Sequence, residues 1–326
     1  MIIENSKTYN VKEVEEIFFR PIFCGKSADE FGVRVLYNQP MPTKVPLFAH
    51  SKNILKSYVA GWQGGPSTYY MQNEVEMKRL KAESSYTAED YISTVFDYLS
   101  SVPEFSSGDL TCSDLEKVET ELFRRSIAES VYASMWFGDV EGVVSNISSF
   151  DGFIRRLLNI NEKGGNLNNV YVLSDHEDCS VVEILNNAWR SAKPTLRNIA
   201  SDGNLVFYVS SDIYDAYQFY LDDNGLSNCT QTIATGRPVL TYHGIPLVEV
   251  AANNYGIKIA SSFAILTDRR NFILALNTAD SPEKEIHLWY NPDEMENRQR
   301  AVFLAGTAIA DEALISAYIY DDLTIV

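Results

Sequence analysis

The chain has 326 residues, 45% hydrophobic and 22% charged, which suits one large globular unit or two ordinary ones and argues against bulk disorder. A formal net charge of −17 argues against binding nucleic acid through its phosphates, or an anionic membrane surface, since both depend on lysine and arginine. No apolar run approaches the ~20 residues that span a bilayer, and Met1-Ile2-Ile3-Glu4-Asn5 lacks the pattern of a secretory leader, so a cytosolic chain with protein partners is expected.

The first stretch holds one short amphipathic patch, Val11, Val14, Ile17 and Phe18, and then Pro21, Pro40, Pro42 and Pro46. Prolines at that density deny it long helices and central strands, so it reads as an extended arm. A long hairpin follows. One leg runs from about Val45 to Trp62, the tip is Gln63-Gly64-Gly65-Pro66-Ser67, and the return leg includes Val75-Glu76-Met77-Lys78 in alternation. Neither leg is apolar enough to make a core.

Four helices are predicted next. The first starts at Thr87 with Tyr91, Ile92, Val95, Phe96 and Leu99 on one face. The longest is capped by Ser113 with Glu116 and ends at Phe137-Gly138; its apolar stripe drifts around the axis, which implies several packing neighbours. The third carries Phe150, Phe153, Ile154, Leu157 and Leu158 and stops before Gly164-Gly165. The fourth begins at Ser180 with Glu183 as its capping partner and is closed by Pro194.

After Asp202-Gly203 strands dominate. They are expected at Leu205–Val209, Val239–Tyr242, Ile245–Val250, Phe263–Leu266, Phe272–Leu276 and Ile286–Tyr290, with one short helix around Ile213, Tyr217, Tyr220 and Leu221. Ala301 to Tyr320 mixes both signals. The class is α+β, helices first and strands later, without the alternation of a doubly wound sheet.

No motif of catalysis stands out. Phosphate-loop, dinucleotide, nucleophile-elbow and zinc-protease patterns are all missing, and no cofactor is implied. The four histidines, His50, His176, His243 and His287, never pair at ligand spacing. The cysteines Cys24, Cys112, Cys179 and Cys229 form no CxxC and read as free thiols. Asp175-His176-Glu177-Asp178-Cys179 offers metal-ligand types, but neighbouring side chains diverge, so a solvated loop before the Ser180 cap is the expectation. His243 reads as a turn residue. The pairs Arg124-Arg125, Arg155-Arg156 and Arg269-Arg270 are scattered and suit salt bridges. Lys78, Arg79 and Lys81, on the return leg of the hairpin, form a basic patch that suits an acidic neighbour.

The order of these elements resembles the Hong Kong 97 type of tailed-phage capsid protein. Local wording agrees: Trp136-Phe137-Gly138-Asp139, Gly244-Ile245-Pro246-Leu247-Val248, Ala264 to Asn271 and Arg300 to Ile309 look like capsid proteins of phages infecting gut Bacteroidetes. The resemblance implies an N-terminal arm at 1–44, an E-loop at 45–82 and a P-domain at 83–203 with its spine helix at 113–137. It further implies an A-domain at 204–280, a return strand at 281–300 and a C-terminal part of the A-domain at 301–326.

It implies a structural protein, not an enzyme, with no catalytic, cofactor or metal residues. Copies would form the pentamers and hexamers of an icosahedral virion shell, assembled in the host cytoplasm, that encloses DNA without sequence-specific binding and without a membrane. Intersubunit contacts would come from the E-loop tip, Gly64, Gly65 and Pro66, and from Lys78, Arg79 and Lys81. No heptad-rich scaffolding segment opens the chain, so a separate scaffolding protein is expected, beside a portal and decoration proteins. Rival readings are an encapsulin-type cargo shell and a soluble α+β metalloenzyme built around Asp175 to Cys179.

Overall fold

The computed structural model describes residues 7–8, 33–37, 43–49, 57–61, 69–87, 114–142, 148–164, 169–173, 176–225, 231–232, 238–250, 262–277, 287–320 and 323–325. In chain order the elements are β1 (Lys7–Thr8), β2 (Arg34–Tyr37), β3 (Thr43–Ala49), β4 (Tyr69–Val75) and β5 (Lys78–Tyr86), then helices α1 (Asp114–Phe137) and α2 (Phe153–Gly164). Next come β6 (Val170–Leu173), β7 (His176–Cys179), α3 (Val181–Ser191), α4 (Pro194–Asn198), β8 (Leu205–Ser210) and α5 (Ser211–Asp223). The rest is strand: β9 (Gln231–Thr232), β10 (Pro238–Val239), β11 (Thr241–Tyr242), β12 (Ile245–Val250), β13 (Ser262–Asp268), β14 (Phe272–Asn277), β15 (His287–Asn291), β16 (Glu296–Ile309), β17 (Ile315–Tyr320) and β18 (Leu323–Ile325).

Two six-stranded sheets carry the fold. The first is organised by β16, fourteen residues long. One edge of β16 pairs with β5 from Asn297 to Ala305. The other edge is shared between β15 near its start and β14 near its end. The second sheet runs β11-β12-β8-β13-β17-β6 and is mixed, with β12 and β8 parallel and β13 antiparallel to β8 and to β17. The β8–α5–β12 crossover is one local β–α–β unit that the sequence order did not suggest.

Each core strand of the second sheet is apolar on both faces because both are covered. From β8, Val206 and Tyr208 join a central cluster with α1, α2 and the first sheet, whereas Leu205, Phe207 and Val209 join a cluster under α3 and α5. β13 divides in the same way, Phe263 and Ile265 against Ala264 and Leu266. The central cluster contains a knot of rings. Trp136, at 0% exposure, meets Phe153, Tyr208 and Phe272 at centroid distances of 5.3, 5.0 and 5.9 Å. That knot ties α1, α2, β8 and β14 together, and burial pushes the Tyr208 phenol far up.

The drift of the α1 stripe has a clear outcome. Phe123, Ile127 and Val131 are buried on one face, and from Ala133 to Phe137 every residue is buried. The helix runs along the first sheet and then enters the core. It stops where Gly138 meets Gly152: the Gly152 N–H donates to the Gly138 carbonyl at 2.7 Å, and a Cβ on Gly138 would stand 2.1 Å from the Phe150 carbonyl oxygen.

Several expectations change. Ser180 sits at the N-cap of α3 but makes no side-chain cap hydrogen bond; the Glu183 N–H donates instead to its carbonyl, so backbone closes the turn. His176–Cys179 is a strand paired with β18 rather than a loop, because the C-terminal end of the chain supplies it a partner. Ala301 to Tyr320 resolves into the end of β16, a short 3-10 turn at Glu312–Leu314, and β17. Sheet membership also cuts across the sequence-drawn segments. β6 and α3, read with the P-domain, belong with the second sheet, while β14, read with the A-domain, pairs with β16 in the first. Pairing over such sequence separations leaves no local mark. Residues 88–113, with the rest of the helix expected from Thr87 and the cap Ser113, lie outside the described residues, as do Pro21, Pro40 and Pro42 of the arm, Cys24, Cys112 and Cys229, whereas Pro46 lies in β3 opposite Gln72.

Candidate assembly surfaces

Strands β3 and β4 pair antiparallel over seven positions, Thr43↔Val75 to Ala49↔Tyr69, and form a sheet of their own. Beyond β3, Tyr58 is 93% and Val59 56% exposed, a pair of large apolar groups that no core of this chain uses. The root of the pair is firmly held. Val75 and Met77 are buried against Ile273, Ala275, Leu304 and Ala308 on the outer face of the first sheet. Here the backbone of Glu76 crosses β16 at Gly306, where a Cβ would lie 2.2 Å from the Glu76 carbonyl oxygen. Only glycine admits that approach. Beside it the Arg156 Nε–H donates to Thr307 Oγ1 at 2.9 Å. Burial lowers the Arg156 pKa, opposed by the charges of Asp151 and Glu76.

Lys78, Arg79 and Lys81 stand on β5, one strand beyond this pair, in the first sheet. β5 alternates along its length: Leu80 and Ala82 pack on the central cluster, while Arg79 and Lys81 point to solvent. Lys81 Nζ is 2.8 Å from Glu83, and that hydrogen bond is the main reason the Glu83 carboxyl sits below its ordinary range. Arg79 makes no ion pair among the described residues, so it is the more available cation. Gly64, Gly65 and Pro66 lie outside the described residues.

Between α1 and the β5–β16 ladder runs a groove of about 610 Å³, lined by Phe123, Ile127, Ser126, Ser130, Ser134 and Gln299 among others. Gln299 is 1% exposed, and neither its Oε1 nor its Nε2 has a hydrogen-bond partner among the described residues. Its amide and the serine hydroxyls can pair with peptide groups, and among the described residues no lining serine is hydrogen-bonded to Lys81 or Glu83, the lining groups that could serve it as a base. The sequence reading passed over it, although serines at 126, 130 and 134 repeat at four-residue spacing on one helix face.

A second polar cluster is structural. β13 leaves the second sheet and β14 enters the first through Arg269–Asn271, and β16 returns to β17 beside it. Asn271 pins the two crossings: its Nδ2 donates to Thr267 Oγ1 and to the Asp311 carbonyl, both at 3.0 Å, and the Asp311 N–H donates to its Oδ1 at 2.7 Å. Asp268 closes the turn by accepting from the Arg270 N–H, Nε and Nη2. Burial alone would raise its pKa, but the Arg270 hydrogen bonds and charge outweigh this and hold it below the usual aspartate value. Arg155 likewise spends its charge within the chain, 3.0 Å from Glu141 and 3.5 Å from Asp139. The Arg124 and Arg125 side chains lie outside the described residues.

His243 occupies the two-residue turn between β11 and β12 with Gly244, both at positive φ, and stacks on Trp189 at 5.7 Å. This is the turn role read from the sequence. Asp175 and the side chains of 176–179 lie outside the described residues; among those described, no three ligand-type side chains come together. No described helix is long and apolar enough to cross a membrane.

No protein-family model and no curated protein matches the chain. Solved structures do match. A chain of the satellite phage P4 procapsid including size determination (Sid) protein aligns with a TM-score of 0.60 at 9% identity, covering 100% of this chain and 94% of that one. A chain of Gordonia phage Cozz aligns at 0.52 and 10% identity, covering 90% and 85%. A chain from the capsid of the native GTA particle aligns at 0.50 and 11%, covering 91% of each. The fold matches that of phage capsid structures, the fold class that the resemblance to the Hong Kong 97 type implied. Identities this low carry the fold alone, and none of the three is named for a phage of gut Bacteroidetes, so the narrower likeness gains no support.

Proposed function

We propose that this chain is a major capsid subunit whose copies self-assemble into the icosahedral head enclosing phage double-stranded DNA. The observation that carries the reading is the fold, shared over the whole chain with a chain of a phage procapsid. The β3–β4 pair adds physical sense. It is rooted in the core by Val75 and Met77, yet Tyr58 and Val59 beyond it are left to water. Such surface is stabilised when a neighbour covers it.

In this reading residues 1–44 are the arm, 45–82 the E-loop and α1 the spine helix, with the second sheet as the body of the A-domain. The subunit acts as a structural component of the virion and not as an enzyme. Pentamers and hexamers close the shell, Gly64 to Pro66 and the cations Lys78, Arg79 and Lys81 meet neighbouring subunits, and a separate scaffolding protein, a portal and decoration proteins complete it in the host cytoplasm. A host among gut Bacteroidetes rests on local wording only.

Negative-stain electron microscopy of the protein, expressed alone and with its neighbouring genes, tests this. Closed shells, or rings of five and six, are the expected result; small monodisperse particles under both conditions overturn it.

A further inference from the structure

The groove between α1 and the β5–β16 ladder follows a strand that is paired on one edge only. Side chains of a strand alternate between its faces, yet Leu80 to Ser84 line the groove without a gap, so it runs along the rim of β5 and not beneath one face. Among the described residues β5 pairs with β16 alone. Its outer rim therefore offers backbone N–H and carbonyl groups to another chain. The facing wall is α1, where Phe123 and Ile127 are buried and Ser126 and Ser130 are exposed. Charge in the groove is balanced, because Lys81 and Glu83 pair at 2.8 Å. Gln299 marks what the groove takes. Its amide holds a donor and an acceptor side by side, and neither is used among the described residues. A group that completes both must offer an acceptor and a donor at the same spacing, as a peptide unit does. Rim, amide and hydroxyls together suit an uncharged, extended polypeptide with apolar side chains for Phe123 and Ile127.

The chain itself carries such a segment. Among the described residues the exposed large apolar side chains are Tyr58, Val59, Val140, Phe219, Tyr220 and Met295. Phe219 and Tyr220 lie on α5, and Val140 and Met295 lie in turns. Tyr58 and Val59 alone stand on chain outside helix, turn and strand, in the uncharged run Ser57-Tyr58-Val59-Ala60-Gly61. Tyr58, 93% exposed, is left uncovered by its own chain, so the groove it fills is on another copy. A contact without net charge on either side also spares chains of net charge −17 a local repulsion.

We propose that the groove receives residues 57–61 of a second copy. Tyr58 and Val59 supply the apolar contact, and a peptide unit of the segment completes the Gln299 amide. This contact rests on the shell reading and names where one subunit receives the next. Its two sides are unlike surfaces of one chain, the kind of contact that closes rings.

Photocrosslinking tests the contact. With p-benzoylphenylalanine in place of Tyr58, irradiated rings or shells are expected to yield dimers whose joined peptides include residues 80–84 or 123–134. Assembly from a mixture of isotope-labelled and unlabelled copies shows that the two peptides come from different chains. Adducts confined to other parts of the chain, to the same copy or to a co-expressed protein overturn the proposal. Ser130→Trp fills the groove from an exposed position and is expected to lose rings and shells with an unchanged thermal midpoint. Gln299→Leu should move two readouts in opposite directions: the unassembled subunit melts higher, because a buried unpaired amide is gone, while assembly weakens. Either variant assembling like the natural chain overturns the docking site. Absence of rings and shells from the natural chain, even with its neighbouring genes, overturns the shell reading itself.

Discussion

β8 and β5 are neighbours of the same core, yet they are built for different surroundings. All six residues of β8 are buried, alternately beneath the central cluster and beneath α3 and α5. β5 alternates between half-buried and exposed, with Leu80 and Ala82 inward and Arg79 and Lys81 outward. Next to β5, the β3–β4 pair belongs to neither large sheet. One region is covered within the chain, and the other leaves Tyr58, Val59, Arg79 and Lys81 exposed. Stability and assembly should therefore respond to different substitutions.

The largest effect is expected where the two sheets meet. Trp136→Ala empties the ring knot and should cost ~3–5 kcal/mol of unfolding free energy, read from a shift in the denaturant midpoint. Asn271→Ala should cost ~1–3 kcal/mol because it strands buried polar groups at the paired crossings; an unchanged midpoint would mean that the crossings hold without it.

Asp268 gives a pH signature in the same region. Its carboxyl is depressed in the folded state, so its contribution is present above the ordinary aspartate pKa and is lost as pH falls through the folded value. In Asp268→Asn that acid-side fall should flatten, while the neutral plateau drops.

Gly306→Val tests the hinge between the two regions. The new side chain meets the Glu76 backbone and should cost ~1–3 kcal/mol. Its effect on shell formation should exceed its effect on the thermal midpoint, because the contact sets the root of the β3–β4 pair.

The smallest stability change belongs to Arg79→Glu, expected within about 0.5 kcal/mol of the natural chain, but with weaker assembly in light scattering. Equal assembly would remove Arg79 from the contact surface. Salt should promote association of the natural chain, since screening between like-charged copies tightens from ~10 Å at 0.1 M to ~3 Å at 1 M.

Much of this division was legible in the residues. Period-2 alternation at Val75 to Lys78 marked Val75 and Met77 as covered, although these residues link β4 to β5 and do not form the single strand expected there. The drifting α1 stripe foretold several neighbours, and the apolar runs at 205–209 and 263–266 marked strands. The Gly138–Gly152 contact, the Gly306 crossing and the unpartnered Gln299 left no readable sign, because each depends on which backbone arrives from far along the chain.

The sequence by itself determined the α+β class, the long helix ending at Phe137, the turn at His243-Gly244 and the resemblance to phage capsid proteins. These follow from local periodicity, turn chemistry and wording. Tertiary structure alone decided that β13 and β14 part into different sheets, that β6 and β7 find C-terminal partners, and that Lys78, Arg79 and Lys81 stand on β5. Strand pairing joins residues over a hundred positions apart, and no local pattern encodes such distances.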